Sequence, residues 1–149
     1  MLKPIAVATA VSGTLDILFA MILTVWFGRE IGNMLRFVAS GPFPAATEMG
    51  ASGAILGVVV HFALMAIMAA VFMLIVCERP RLLESPILAG IGYGLLTYAV
   101  MNLIAVPIRF GTPLPPKPIS IATQLFAHIC LVGIPMALVA ARYLRPKHA

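Results

Sequence analysis

The sequence has little charge and few of the residues that mark well-known catalytic sites. Only 10% of its 149 residues are Asp, Glu, Lys or Arg, whereas about 25% are charged in soluble domains. It has two cysteines without a Cys-x-x-Cys motif, and it has no Gly-x-Ser-x-Gly elbow, phosphate-binding loop or paired carboxylates. These absences argue against a soluble domain, dithiol redox chemistry, and the hydrolase, kinase and glycosidase classes. The sequence therefore assigns no catalytic residue.

Apolar residues dominate what remains. They make up 62% of the chain, and the mean hydropathy is +1.07. Four apolar runs cover roughly residues 4–27, 52–77, 86–107 and 119–142, each near the ~20 residues that a membrane-spanning helix needs. Since backbone amides find no water in hydrocarbon, these spans must be helical. The sequence predicts an all-α fold, a four-helix transmembrane bundle that forms a single domain over residues 1–149.

The basic residues predict the orientation of this bundle. Six would lie at the end that carries both termini, and four at the other: Lys3, Arg79, Arg81, Arg142, Arg145 and Lys147 against Arg29, Arg36, Arg109 and Lys117. The positive-inside rule then places both termini in the cytoplasm. The first run is too long for the 7–15-residue core of a signal peptide, so we expect it to be retained. The basic residues form no patch with interleaved aromatics, so the expected partner is the lipid bilayer and not nucleic acid.

Two of the connecting segments have a recognisable pattern. Residues 29–40 predict a short amphipathic helix with an apolar stripe at Ile31, Met34, Leu35 and Val38. Such a helix is expected to lie on the outer membrane surface, and the alternative is a cap on the bundle, since amphipathic stripes mostly bury locally. The third connection contains Pro113, Pro115, Pro116 and Pro118. It predicts a stiff connector, with a proline-rich ligand for another domain as the alternative.

Each predicted span carries one strongly polar side chain, and these four residues are Asp16, His61, Asn102 and His128. At ~1.5 Å per helical residue they fall in a band within about 10 Å of depth. Small residues precede them at intervals of four, Gly53 and Gly57 before His61 and Gly90 and Gly94 before Asn102, which favours close helix packing. We therefore expect the polar side chains to converge inside the bundle. The predicted ligand or ion site comprises Asp16, His61, Asn102, His128, Tyr98 and Gln124.

Several roles for this cluster remain open. Asp16 is the only acidic residue within a span, and an unpaired carboxylate near the membrane centre costs at least about 2.5 kcal/mol. The cluster would bind a small polar ligand or ion, relay protons, or simply hold the helices in register. The two histidines also supply ligands for haem or a divalent metal, but no His-x-x-x-His or Glu-x-x-His spacing supports either. The cofactor is therefore unassigned.

Part of the pattern resembles uncharacterised four-span bacterial inner-membrane proteins. The elements concerned are Gly13-Thr14-x-Asp16, Tyr93-Gly94 followed by Met101-Asn102 and Pro107, and His128 with Gly133 and Pro135. The resemblance covers nearly the whole chain and implies a four-helix fold in the bacterial inner membrane. Because that group has no assigned activity, it implies no reaction.

A different class of function also fits the sequence, namely a non-catalytic accessory subunit in a larger membrane complex or a homo-oligomer.

Overall fold

The computed structural model describes residues 1–145 and is helical throughout its ordered elements. Helix makes up 87% of the described residues, and they contain no strand. Four helices are long and apolar enough to cross a membrane, as predicted. They are α1 (Leu2–Trp26), α3 (Gly50–Glu78), α4 (Pro86–Phe110) and α5 (Pro118–Leu144), and a short helix α2 (Ile31–Ser40) follows α1. Lys147, counted above among the cytoplasmic residues, lies outside the described residues.

The helices form an antiparallel bundle with two distinct ends. At the Met1 end the start of α1 meets the end of α3, while Arg145 near the end of α5 donates from Nε to the Leu83 carbonyl, at 3.1 Å, in the 3₁₀ turn Pro80–Glu84. At the Trp26 end lie α2, the 3₁₀ turn Pro44–Glu48 and the loop 111–117 between α4 and α5. The largest fully buried side chains lie mainly toward the Met1 end: Phe72, Met73, Val76, Leu83 and Met136. The apolar core therefore lies toward the Met1 end, and the polar residues of the spans lie nearer the Trp26 end.

The third span is longer than the sequence predicted. It was expected to end at Pro107, but α4 continues to Phe110 and ends at Gly111, whose φ of 63° is left-handed. A proline inside a helix lacks one N–H and clashes with the carbonyl four residues earlier. The helix accommodates this by widening into a π segment over Ala99–Ala105. Pro107 therefore changes the winding of the helix without ending it.

The same device occurs in the facing helix. A second π segment covers Ala127–Gly133, and Pro135 follows two residues after its end, as Pro107 follows two residues after Ala105. Single turns of π-helix are rare and occur frequently at functional sites. The two widened segments belong to the adjacent helices α4 and α5.

Glycines bring α4 and α5 into backbone contact beside these π segments. A Cβ atom added to Gly94 would lie 2.5 Å from the His128 carbonyl oxygen, and one added to Gly90 would lie 2.6 Å from the Ile134 Cα. From the other side, a Cβ on Gly133 would lie 2.1 Å from the Gly90 carbonyl oxygen. No side chain fits at these positions, so the spacing of small residues in α4 does mark a close helix contact.

The glycines of α3 have a different neighbour. A Cβ on Gly57 would lie 2.0 Å from the carbonyl oxygen of Leu35 in α2, so this stripe receives the short helix instead of another span. Arg109 at the end of α4 donates to the Ser40 carbonyl at 2.7 Å and to the Gly41 carbonyl at 2.6 Å. Helix α2 is therefore packed against α3 and tied to α4.

Candidate functional site

The histidine of α5 belongs to a hydrogen-bonded network with α4. His128 is buried, and its Nδ1 lies 3.1 Å from the Thr97 Oγ1. Its Nε2 lies 3.1 Å from Nδ2 of Asn102, and the ring of Tyr98 meets the imidazole edge-on with 6.1 Å between the ring centroids. Three residues of α4 thus surround one side chain of α5.

The partners of this imidazole are consistent with a single tautomer. The Asn102 amide nitrogen is a donor only, so Nε2 of His128 accepts from it. The Thr97 hydroxyl donates to the Gly94 carbonyl, at 3.1 Å, so it accepts from the Nδ1–H of His128. The network is satisfied by a neutral ring protonated on Nδ1. Both ring nitrogens are engaged, and a ligand for His128 would have to displace one of these bonds.

The two π segments determine this geometry. Asn102 lies in the segment Ala99–Ala105 and His128 in the segment Ala127–Gly133. Thr97 was not among the predicted site residues, because a threonine hydroxyl in a helix usually bonds to its own backbone. A signal that could have pointed to this region is the pair of prolines inside apolar runs, Pro107 and Pro135, each of which distorts the helix preceding it.

A second polar pair joins α1 to α3. His61 Nε2 lies 2.9 Å from the Gly13 carbonyl oxygen, and its Nδ1 lies 3.9 Å from Oδ2 of Asp16. The carbonyl can only accept, so Nε2 must carry a proton. Nδ1 then faces Oδ2 of Asp16 across a separation that exceeds the 2.7–3.2 Å of a direct hydrogen bond. The side chains of His61 and Asp16 are 11% and 21% exposed, so the pair is shielded but not sealed.

The sequence predicted that four polar residues would converge. In the structure they form two separate pairs, Asp16 with His61 and Asn102 with His128. Within residues 1–145, no hydrogen bond or ion pair connects one pair to the other. The same part of the chain contains no group of three His, Cys, Asp or Glu arranged to hold a metal ion. Asp16, His61 and His128 therefore do not form the three-residue metal site that their types would allow. Cys77 and Cys130 are both free thiols.

A cavity of about 730 Å³ opens at the Trp26 end, between α1, α4 and α5. Asn102 and Gln124 line it together with the hydroxyls of Thr24, Ser120 and Thr123, and the loop 111–117 forms part of its wall. Its volume lies in the usual range of about 300–1,000 Å³ for small-molecule sites. Asn102 is thus shared, because it lines the cavity and also bonds to His128.

The remaining predicted residues divide between these places. Gln124 lines the cavity and makes no side-chain hydrogen bond within the described chain, and Tyr98 packs against His128. Asp16 and His61 do not line the cavity.

A smaller cavity of about 380 Å³ toward the Met1 end is almost entirely apolar and is lined by Phe72, Ile75, Leu82, Leu88 and Tyr93 among others. The polar cavity is therefore the better candidate for a specific site.

Comparison of this chain with protein-family models, with curated proteins and with solved structures finds no match.

Proposed function

We propose that this is a small integral protein of the bacterial inner membrane that binds a small polar ligand in the cavity at the Trp26 end. The observation that carries the proposal is the double role of Asn102, which lines the cavity and donates to His128. A primary amide offers two N–H groups and a carbonyl oxygen, and the described structure uses one N–H. The Gln124 amide lines the same cavity, so two amides are available to a ligand.

The π segments support this role for the cavity. Distorted helix is costly, and it is expected where a side chain has to be presented to a ligand or another group. A ligand bonded to the free N–H or the carbonyl oxygen of Asn102 would fix the rotation of that amide. Because the same amide donates to Nε2 of His128, a ligand in the cavity would also change the hydrogen bond to the buried imidazole.

The test compares two asparagine variants. Asn102→Ala removes the shared amide, while Asn33→Ala removes the amide of an exposed residue on α2 that bonds to Glu30 and does not line the cavity. Purified protein in dodecyl maltoside is screened with uncharged and charged polar compounds, and the melting temperature is measured. We expect at least one compound to raise the melting temperature of wild type and Asn33→Ala but not of Asn102→Ala. Equal shifts in all three proteins, or no shift with any compound, would contradict the proposal.

Proton relay is a second candidate, favoured by the geometry of Asp16 and His61. The Gly13 carbonyl accepts from Nε2 of His61, so Nδ1 is the ring nitrogen that faces Oδ2 of Asp16 and would exchange a proton with it. A small side-chain movement would bring Nδ1 and Oδ2 from 3.9 Å into hydrogen-bonding distance. Asp16→Asn keeps the size of the side chain and removes its titration. We expect the variant to remain folded and to lose proton uptake in vesicles, measured with an internal pH-sensitive dye; stable protein with unchanged uptake would reject the relay.

The orientation in the membrane and the location of α2 belong to the same proposal. The excess of basic residues at the Met1 end supports a cytoplasmic location for both termini. The cavity would then open to the extracytoplasmic side. An interfacial location for α2 is supported by the exposed Phe37 on the face away from α3, which stacks on Phe110 with 4.4 Å between ring centroids. Phe is among the side chains found on the apolar face of interfacial helices.

An accessory role in a larger membrane assembly, or assembly with further copies of this chain, is the alternative from a different class. Large apolar side chains are exposed along all four spans, among them Ile22, Ile55, Ile67, Leu88, Ile108 and Leu138. Lipid or a membrane partner would cover them equally well. Purification in a mild detergent followed by mass spectrometry distinguishes the two, because a stable partner or a second copy would co-purify in a fixed ratio.

A further inference from the structure

The charges around the polar cavity are all of one sign. Arg29, just after α1, and Lys117, just before α5, line it, and no acidic side chain does. A cleft with low-dielectric walls and one sign of charge concentrates counter-ions of the opposite sign. The cavity therefore favours an anion over a cation.

Arg29 and Lys117 differ from the other basic residues at the same end of the bundle. Arg36 donates to the Gly50 carbonyl at 3.3 Å, and Arg109 donates to two carbonyls at the end of α2. Arg29 and Lys117, by contrast, form no ion pair or side-chain hydrogen bond within residues 1–145. The hydrogen bonds of Arg36 and Arg109 thus hold α2 in place, whereas the side chains of Arg29 and Lys117 are available to a ligand in the cavity.

Most of the lining between these cations and the interior is apolar, although Thr24, Ser120 and Thr123 also belong to it. Leu23, Phe27, Met34, Val106 and Ile119 contribute the apolar part. The polar floor is Asn102, eight residues before the end of α4, which at ~1.5 Å per residue is about 12 Å below it. A ligand that spans the cavity thus meets positive charge at the mouth and mainly apolar side chains below.

We propose that the cavity binds an amphiphilic anion, a phosphate or carboxylate with an apolar tail, whose charged group lies between Arg29 and Lys117. This rests on the proposed function and narrows it, since it specifies that the polar ligand of the same cavity is an anion that also carries an apolar tail. Arginine and lysine are the usual partners of phosphate and carboxylate, and the bonds that they form are charge-assisted. A free metabolite and an anionic lipid share this chemistry, and the experiment separates them.

The test uses octyl phosphate as the probe, with octyltrimethylammonium as a probe of the opposite charge and the same tail. Binding to purified protein in dodecyl maltoside is measured by isothermal titration calorimetry below the critical micelle concentration of each probe. The wild-type protein is expected to bind octyl phosphate at least tenfold more tightly than octyltrimethylammonium. Equal affinity for the two probes would overturn the proposal, because it would reflect partition into detergent.

Matched variants locate the binding. Arg29→Gln with Lys117→Gln removes two charges at the cavity, and Arg79→Gln with Arg81→Gln removes two at the Met1 end. We expect the first pair to weaken octyl phosphate binding at least tenfold and the second to leave it unchanged. Equal affinities in both double variants would overturn the proposal. Circular dichroism checks folding, and if the cavity variant is misfolded, the wild-type comparison of the two probes still decides.

Competition identifies the source of the anion. Displacement of octyl phosphate by dihexanoyl phosphatidylglycerol would assign a lipid headgroup, while displacement by decanoate but not by this lipid would assign a free amphiphilic metabolite. Inorganic phosphate that binds as tightly as octyl phosphate would overturn the requirement for a tail. If an uncharged compound gives an Asn102-dependent thermal shift while octyl phosphate does not bind, the proposed function stands and this inference fails.

Discussion

The contact between α4 and α5 is tested most directly by two isomeric variants of α4. Gly94→Ala would place a Cβ atom 2.5 Å from the His128 carbonyl oxygen and 2.6 Å from the Ile129 Cα. Both are backbone atoms, so the helices have to separate. Gly92, on the same helix two residues earlier, has no atom within 4 Å of an added Cβ. Gly92→Ala therefore serves as a control with the same composition and the same helix.

The expected magnitude follows from what the two variants share. Each replaces glycine by alanine inside a helix, a change worth up to about 1 kcal/mol in favour of the helix. Because both variants share this gain, it cancels when their stabilities are compared. The remaining difference in stability is the cost of overpacking at Gly94, about 1–3 kcal/mol. Separation of the helices also weakens the bond between Asn102 and His128, and intramembrane hydrogen bonds average about 0.6 kcal/mol. Gly94→Ala should thus be less stable than Gly92→Ala by about 1–4 kcal/mol.

The free energy of unfolding is measured by titrating sodium dodecyl sulfate into dodecyl maltoside micelles and following the circular dichroism of the helices. We expect Gly92→Ala to unfold at or above the wild-type detergent fraction and Gly94→Ala to unfold below it. If Gly94→Ala were as stable as Gly92→Ala, the backbone contact between α4 and α5 would be refuted, and with it the arrangement that joins His128 to Asn102.

Three further predictions concern other parts of the bundle. Cysteine introduced at Arg81 and at Lys117 should be labelled by impermeant reagents from opposite sides of the membrane, and labelling of both from one side would contradict the topology. Gly57→Ala should displace α2, because its Cβ would meet the Leu35 carbonyl at 2.0 Å; hydrogen exchange of the α2 amides should then accelerate while α4 stays protected, and unchanged exchange would argue against this packing. Thr97→Val keeps the side-chain shape but removes the acceptor for the Nδ1–H of the α5 imidazole; we expect a changed ¹⁵N shift of that imidazole and a loss of about 0.6 kcal/mol in stability, and an unaltered spectrum would show that the bond is not formed.

Much of the fold follows from the sequence because membrane helices are specified locally. Length and apolar composition alone require a helix wherever about 20 such residues occur, since no other backbone conformation satisfies its own hydrogen bonds in lipid. The four spans were accordingly predicted with small errors at their ends. The largest error was at Pro107, where the predicted span ended and the structure has a widened turn from which the helix continues to Phe110.

The candidate site was predicted only in part. Asp16, His61, Asn102 and His128 stood out because polar side chains are costly in hydrocarbon and must find partners. Which residue partners which was not contained in the spacing, because depth along a helix says little about rotation around it. Thr97 was missed, and Arg29 and Lys117 were interpreted only as signals of orientation until the cavity brought them together.

The sequence by itself determined the helical class, the number of apolar spans and the rarity of the buried polar groups. Each of these properties depends on one segment of the chain and on the hydrocarbon that surrounds it, and not on contacts with other segments. Only the tertiary structure decided that α2 packs on the glycines of α3, that two π segments bring Asn102 to His128, and that a cavity with cationic lining opens above them. The physical reason is that contacts between helices depend on their mutual rotation and separation, which many side chains fix together.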